Sequence, residues 1–188
     1  MISIIDYKVG NIFSIQNALK YVGYDSKVIN SKGEIEKANS IILPGVGAFD
    51  DAIRQLKDSD IFYMLKEKIE SGIPTLGICL GMQVLANKSE EGTEQGLGLI
   101  DTDVMKFRKK KIVPHMGWNK TLYNGSFENF YFVHSYYLPI TNFTTGVCSY
   151  GEDFSAIIEK GNLIATQFHP EKSGKAGLRL LKRFGELV

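Results

Sequence analysis

The sequence predicts an α/β fold: a mainly parallel, doubly wound open sheet with helices on both faces, and a more antiparallel extension in the C-terminal half. Three observations predict it. Short, continuously apolar runs of strand length recur through the first half, as expected of strands buried on both faces. Segments of helical periodicity separate them, which is the alternation a parallel sheet requires. Beyond Val104 the segments are mostly strand-like and joined by turn residues, so the sheet changes character there.

The elements follow in order. Residues 2–6 form the first buried run. Gly10-Asn11 opens a helix carrying Ile12, Ile15, Leu19 and Val22 on one stripe, and Gly23 stops it. Residues 27–29 and 40–43 read as strands, with a helical turn over 34–38 between them. Residues 50–57 and 61–71 read as helices, and 74–78 as another buried strand. In the second half, 104–107, 119–122, 130–138, 146–150, 156–159 and 163–168 read as strands, with Asn124-Gly125 as a turn. A last helix over 175–187 is expected to bury Leu178, Leu181 and Phe184. No repeat, low-complexity stretch or linker divides the chain, so residues 1–188 are expected to form a single domain.

Composition excludes several classes of function. Hydrophobic residues at 44% and charged residues at 23% suit a soluble globular protein, and a net charge of +1 gives no global attraction to nucleic acid or membrane. The basic run Arg108-Lys109-Lys110-Lys111 reads as a solvated loop. No apolar run approaches the roughly 20 residues that span a bilayer, and the first residues read as a strand without a charged leader. A cytoplasmic location is expected, where the sequons at Asn87, Asn124 and Asn142 stay unmodified. Two cysteines, Cys79 and Cys148, make neither a disulfide framework nor a metal cluster. No metal or cofactor is expected.

The chemistry gathers at strand ends, as it does in doubly wound sheets. Gly77-Ile78-Cys79-Leu80-Gly81 ends a buried strand and begins a helix: the cysteine form of a nucleophile elbow. A nucleophile on such a turn is approached too closely for neighbouring side chains, hence Gly77 and Gly81. The helix N-terminus directs positive potential at the sulfur and favours the thiolate, and the Leu80 N–H is placed to donate to an oxyanion. A small buried cysteine between packing glycines is the competing explanation, and it is the better one for Cys148 in Gly146-Val-Cys-Ser.

Gln167-Phe168-His169-Pro170-Glu171 ends another strand. Residues i and i+2 of an extended chain project to one side, so Glu171 can reach His169, fix its tautomer and stabilise the imidazolium. Pro170 holds His169 extended. His169 can then take the thiol proton and return it to a leaving group. His115 and His134 have no carboxylate nearby in sequence and read as structural or as walls of the site. Pro44-Gly45-Val46-Gly47 is ordinary turn punctuation taken alone. Beside an elbow it can present a second oxyanion donor.

Together, Cys79 in Gly-Ile-Cys-Leu-Gly-Met-Gln and His169 and Glu171 in Gln-Phe-His-Pro-Glu-Lys resemble the class I (triad-type) glutamine amidotransferases. One branch is matched more closely, the glutaminase subunits of imidazole glycerol phosphate synthase. Ile4-Ile-Asp-Tyr-Lys-Val-Gly-Asn11, Leu43-Pro-Gly-Val-Gly-Ala-Phe49, Ser89-Glu-Glu-Gly92, Val113-Pro-His-Met-Gly-Trp-Asn119 and Phe132-Val-His-Ser-Tyr136 carry that match in family order across the chain. The resemblance implies that Gly45, Gln83, Glu91, His134, Ser135 and Tyr136 surround a glutamine. Gln83 would offer its amide, Glu91 would pair with the ammonium, and the last three would contribute mainly backbone. It places Asn11, Trp118, Tyr131 and Lys172 at a mouth facing a (β/α)-barrel cyclase subunit as heterodimer partner. Two features depart from the family: Lys8 stands where glycine is frequent, and the segments around 100–112 and 124–130 are short.

The expected reaction is attack of the Cys79 thiolate on the glutamine side-chain amide, with the Val46 and Leu80 N–H groups holding the oxyanion. His169 protonates the leaving ammonia, and water then hydrolyses the thioester to glutamate. The ammonia would pass to the cyclase, which makes imidazole glycerol phosphate in histidine biosynthesis. The alternative is a paralogous glutaminase that supplies a sugar amidotransferase in surface-polysaccharide synthesis. A different cysteine hydrolase and an inactive partner module fit less of the sequence.

Overall fold

The computed structural model describes residues 1–109 and 112–188, so Lys110 and Lys111 of the basic run lie outside the described residues. In chain order the elements are β1 (Ile2–Ile5), α1 (Ile12–Tyr21), β2 (Ser26–Ile29), α2 (Lys32–Glu36), β3 (Ile41–Leu43), α3 (Phe49–Asp58), α4 (Phe62–Glu70), β4 (Thr75–Ile78) and α5 (Leu80–Val84). Then come β5 (Met105–Lys106), β6 (His115–Tyr123), β7 (Ser126–His134), β8 (Tyr136–Tyr137), β9 (Thr144–Ser149), β10 (Asp153–Lys160), β11 (Leu163–Thr166), a 3-10 turn (Pro170–Lys172) and α6 (Gly174–Gly185).

Nine strands form one sheet in the order β2-β1-β3-β4-β11-β10-β9-β6-β7. The first five are parallel to their neighbours and the remainder pair antiparallel, so the extension foreseen in the sequence is continuous with the parallel half. The apolar runs of the first half have a direct cause. Ile41 and Leu43 point into the layer that contains Leu56, Leu65 and Leu85, while Ile42 points into the opposite layer with Ile15, Leu19, Leu181 and Phe184. A strand covered on both faces has no polar side to show.

Local signals set the ends. Asn11 Oδ1 accepts the Ser14 N–H (3.2 Å) and caps α1, a contact worth about 1 kcal/mol. Gly23, at φ 93°, ends the chain's turn after α1. Asn124 and Gly125 are both at positive φ, as a two-residue hairpin between β6 and β7 demands.

Three expectations change. The strand expected over 130–138 starts earlier and breaks at Ser135, with β7 ending at His134 and β8 pairing with β5 instead. β6 begins at His115, not at Asn119, because His115–Tyr123 pairs along its whole length with β7. In α6 the buried residues are Leu180, Leu181 and Phe184, with Leu178 only half-buried: the face is turned by part of a helical step.

Candidate active site

Strands β3, β4 and β11 are neighbours, and at their carboxyl ends they deliver Pro44–Gly47, Cys79 and Gln167–His169 side by side. Cys79 sits at φ 54°, an unfavourable region for a residue with a Cβ. The turn is held there by packing. A Cβ on Gly81 would stand 1.8 Å from the Leu43 carbonyl oxygen, and one on Gly77 would stand 2.6 Å from Leu85 Cδ1. The elbow therefore lies directly on the backbone of β3 and on its own helix. Leu80 is the first residue of α5, so its N–H is among those without an intrahelical acceptor.

Behind Cys79, His169 Nδ1 lies 2.9 Å from Glu171 Oε1, and both side chains are buried. His169 is extended (φ −94°, ψ 101°), as Pro170 requires, but Glu171 arrives through the 3-10 turn, not along a continuing strand. Ser173 fixes this loop by donating to the His169 carbonyl (2.7 Å) and accepting the Tyr131 N–H (3.0 Å). Burial by itself depresses the imidazole's proton affinity, yet the neighbouring Cys79 and Glu171 overcome it and hold His169 up at about 10. His169 Nε2 and Glu171 Oε2 are buried without a hydrogen-bond partner among the described residues. Cys148, by contrast, is pushed up to about 12 by burial, which keeps it a thiol.

In front of Cys79 opens a cavity of about 310 Å³, lined by Val46, Gly47, Leu80, Gln83, Glu91, Pro114, Val133, His134, Ser135 and Tyr136. Every substrate-side residue singled out in the sequence lines it except Gly45. That glycine is packed beneath, where a Cβ would come within 2.8 Å of Leu80 Cβ. Two roles shift in detail. Gln83 Nε2 donates to both the Tyr136 carbonyl (3.0 Å) and Gln167 Oε1 (3.1 Å), so Oε1, not the amide N–H, remains for a ligand. Glu91 Oε2 accepts the Phe49 N–H (2.8 Å) at the start of α3, which anchors the carboxylate and leaves its second oxygen.

Trp118 and Tyr131 face each other across the β6–β7 register, and Trp118 is 59% exposed. Tyr131's carbonyl accepts the His169 N–H (3.1 Å), so this surface abuts the histidine loop. Lys172 is exposed at the end of the 3-10 turn, against which α1 packs, and Asn11 is exposed at the head of α1. Lys8 adopts φ 66°, which explains why glycine suits the position; its N–H is held by Asp6 Oδ1 (3.0 Å).

Sequence reasoning missed Tyr7 and Gln167. The Tyr7 hydroxyl, fully buried, donates to the Pro44 carbonyl, and Gln167 Nε2 donates to Cys79 Sγ (3.8 Å). Both contacts join distant segments, which no local pattern displays. Among the described residues no group of three or more His, Cys, Asp or Glu could hold a metal ion, and no helix is long and apolar enough to cross a membrane.

His115 and His134 stack among Phe107, Phe132, Tyr150 and Phe154. Burial pushes His115 down to about 4 and His134 down to about 3, so both are neutral in the folded state. In the unfolded chain they take up protons near 6.5. The unfolded state therefore binds more protons below that pH, and stability is complete above it and lost as pH falls toward 4. Urea unfolding should show stability dropping by up to roughly 1.4 kcal/mol per pH unit for each histidine in that window. A His115→Gln/His134→Gln double variant should have a shallower slope; an unchanged slope would assign the acid sensitivity to other groups.

The class this fold and pocket define is matched by comparison. The family model of the class-I glutamine amidotransferases matches residues 3–186, and the chain belongs to that family. Within it, the chain is 46% identical to the imidazole glycerol phosphate synthase subunit HisH of Caldanaerobacter subterraneus subsp. tengcongensis, covering 100% of this chain and 98% of that protein. It is 46% identical to the HisH subunit of Moorella thermoacetica (100% and 95%) and 45% identical to HisH 2 of Pseudomonas aeruginosa (100% and 100%). A solved glutamine amidotransferase shares the fold with a TM-score of 0.81 at 20% identity, covering 98% of this chain and 97% of the other.

Proposed function

We propose that this chain is the glutaminase subunit of imidazole glycerol phosphate synthase in histidine biosynthesis, working through Cys79, His169 and Glu171. One observation carries the reading: a cysteine strained at φ 54° stands between a buried His–Glu pair and a cavity bearing Gln83 and Glu91. His169 takes the Cys79 proton, and Sγ bonds to the side-chain carbonyl carbon of glutamine. The oxyanion is held by the Leu80 and Val46 N–H groups. Collapse breaks the C–N bond as His169 gives its proton to the departing nitrogen, releasing ammonia. Water, deprotonated by His169, then cleaves the thioester to glutamate and the thiol. The ammonia passes to a (β/α)-barrel cyclase docked over Trp118, Tyr131, Lys172 and Asn11.

The test is reconstitution. Mixed with a barrel cyclase of the histidine pathway, the chain should support glutamine-dependent synthesis of imidazole glycerol phosphate. After an acid quench, mass spectrometry should find a glutamyl adduct on the Cys79 peptide. Failure with the cyclase but activation by a sugar amidotransferase would replace the partner and leave the chemistry intact.

Glu171 bears on the chemistry alone. Glu171→Gln should lower kcat by about 10²–10⁴, because the imidazolium loses its counter-charge and its tautomer is no longer fixed. KM for glutamine should stay within about threefold, since the carboxylate lies behind His169, away from the cavity. Steady-state glutamate release decides it: an elevated KM at unchanged kcat would make Glu171 a binding residue.

A further inference from the structure

A line of side-chain hydrogen bonds runs from β6 to the sulfur of Cys79. At its outer end, half-buried Asn119 donates from Nδ2 to His115 Nε2 (3.2 Å). His115 Nδ1 lies 2.9 Å from His134 Nε2, and His134 Nδ1 lies 2.7 Å from the Tyr136 carbonyl oxygen. Gln83 Nε2 donates to that same oxygen and to Gln167 Oε1, and Gln167 Nε2 donates to Cys79 Sγ (3.8 Å).

The two ends fix the direction of every bond between Asn119 and Tyr136. An amide nitrogen only donates and a carbonyl only accepts, so each imidazole must carry its proton on Nδ1. Asn119 cannot reverse, because Nδ2 also donates to the Ser149 carbonyl (3.1 Å) while Oδ1 accepts the Lys120 N–H (2.8 Å). Further in, both hydrogens on Gln83 Nε2 are used. This obliges Gln167 to turn its oxygen to Gln83 and its NH₂ to the sulfur. Gln83, Gln167, His115 and His134 are all buried, so water does not compete for these bonds.

We propose that Gln167 is a positioning residue for Cys79, held in place by this string, which starts at Asn119 beside Trp118. The inference rests on Cys79 being the nucleophile. An N–H aimed at the sulfur is a stronger bond to a thiolate than to a thiol, so it orients the nucleophile as it attacks. Half-buried Asn119, on the same face of β6 as His115, thereby becomes mechanically linked to the thiol.

The experiment measures Cys79 alkylation by iodoacetamide at neutral pH, read by peptide mass spectrometry on the full chain, beside steady-state glutaminase kinetics. Gln167→Met keeps the shape and removes the donor. It should slow alkylation and lower kcat by roughly tenfold or more, with KM within about threefold because Gln83 keeps its bond to Tyr136. Asn119→Ala, at the outer end, should slow alkylation by about twofold to fivefold and leave the two imidazoles in mixed tautomers. Independently of any variant, ¹⁵N spectra of histidine-labelled wild type should show His115 and His134 as Nδ1–H tautomers. A folded Gln167→Met variant alkylated at the wild-type rate would overturn the proposal, as would an Nε2–H tautomer at either histidine. Alkylation reports on the sulfur whether or not it attacks glutamine. Full glutaminase activity in Cys79→Ala would therefore sink the nucleophile assignment, and it would be distinguishable from a failure of the string.

Discussion

Replacing Cys79 with Ala is expected to abolish glutamine hydrolysis, a loss on the order of a millionfold in kcat. The size follows from the geometry. The elbow lies on β3 with no room for relaxation, since Gly81 touches the Leu43 carbonyl and Gly77 touches Leu85. The chain's other thiol cannot move in. Cys148 is buried on β9 in the antiparallel half of the sheet, and its thiol is held protonated. Cys148→Ser should accordingly leave kcat within about twofold. A complex of Cys79→Ala with the proposed cyclase should still use added ammonia, because in the proposed function acceptor chemistry belongs to the partner. Glutamate release by the purified variants reads both outcomes. Substantial activity in Cys79→Ala, or a comparable loss in Cys148→Ser, would mean that the wrong thiol had been chosen.

Much of this site could be read in the sequence because it is built from local devices. A strand ending in Gly-x-Cys-x-Gly announces an elbow, since only glycine tolerates the approach of neighbouring backbone. His-Pro-Glu keeps imidazole and carboxylate within a few residues of each other, and the pair meets at 2.9 Å even though a 3-10 turn, not a strand, brings Glu171 round. The parallel half of the fold was equally legible, because strands covered on both faces leave unbroken apolar runs. What escaped were contacts between segments far apart in the chain. Nothing around Tyr7 indicates that its hydroxyl will reach Pro44, and nothing around Gln167 indicates Cys79 on one side and Gln83 on the other. The break at Ser135 escaped for a related reason. Residues 130–138 are uniformly strand-like, and the chain leaves the sheet there only because β8 pairs with β5.

The purified subunit should hydrolyse glutamine slowly alone and at least a hundredfold faster with its partner and the partner's acceptor substrate bound. The physical cause is the loop after β3. It is anchored at its root, where Pro44's carbonyl accepts from Tyr7 and its ring lies against Gly10, so a Cβ on Gly10 would stand 3.1 Å from Pro44 Cβ. Beyond the root Gly45 is closely packed, but the backbone amides are unengaged. Among the described residues no hydrogen bond engages the amides of Gly45, Val46 or Gly47, Gly47 sits at φ 110°, and Val46 is 43% exposed at the rim of the cavity. The peptide between Gly45 and Val46 can therefore rotate without breaking a hydrogen bond. With its N–H turned away, one oxyanion donor is missing, a defect worth about 2.7–4 kcal/mol or roughly 10²–10³ in rate. A docked partner favours the N–H-inward peptide if it binds that conformer more tightly, and the differential affinity sets the limit of the activation. Lys172 is suited to transmit this. It is exposed at the end of the 3-10 turn that carries Glu171, and its own N–H is bonded to the His169 carbonyl (3.0 Å). Lys172→Met should leave the slow basal rate within about twofold while reducing the activation several-fold, the scale of one exposed charge contact. Glutamate release measured for the subunit alone, with partner, and with partner plus acceptor ligand decides the matter. Equal rates in all three would remove the gate and leave the chemistry of Cys79 untouched.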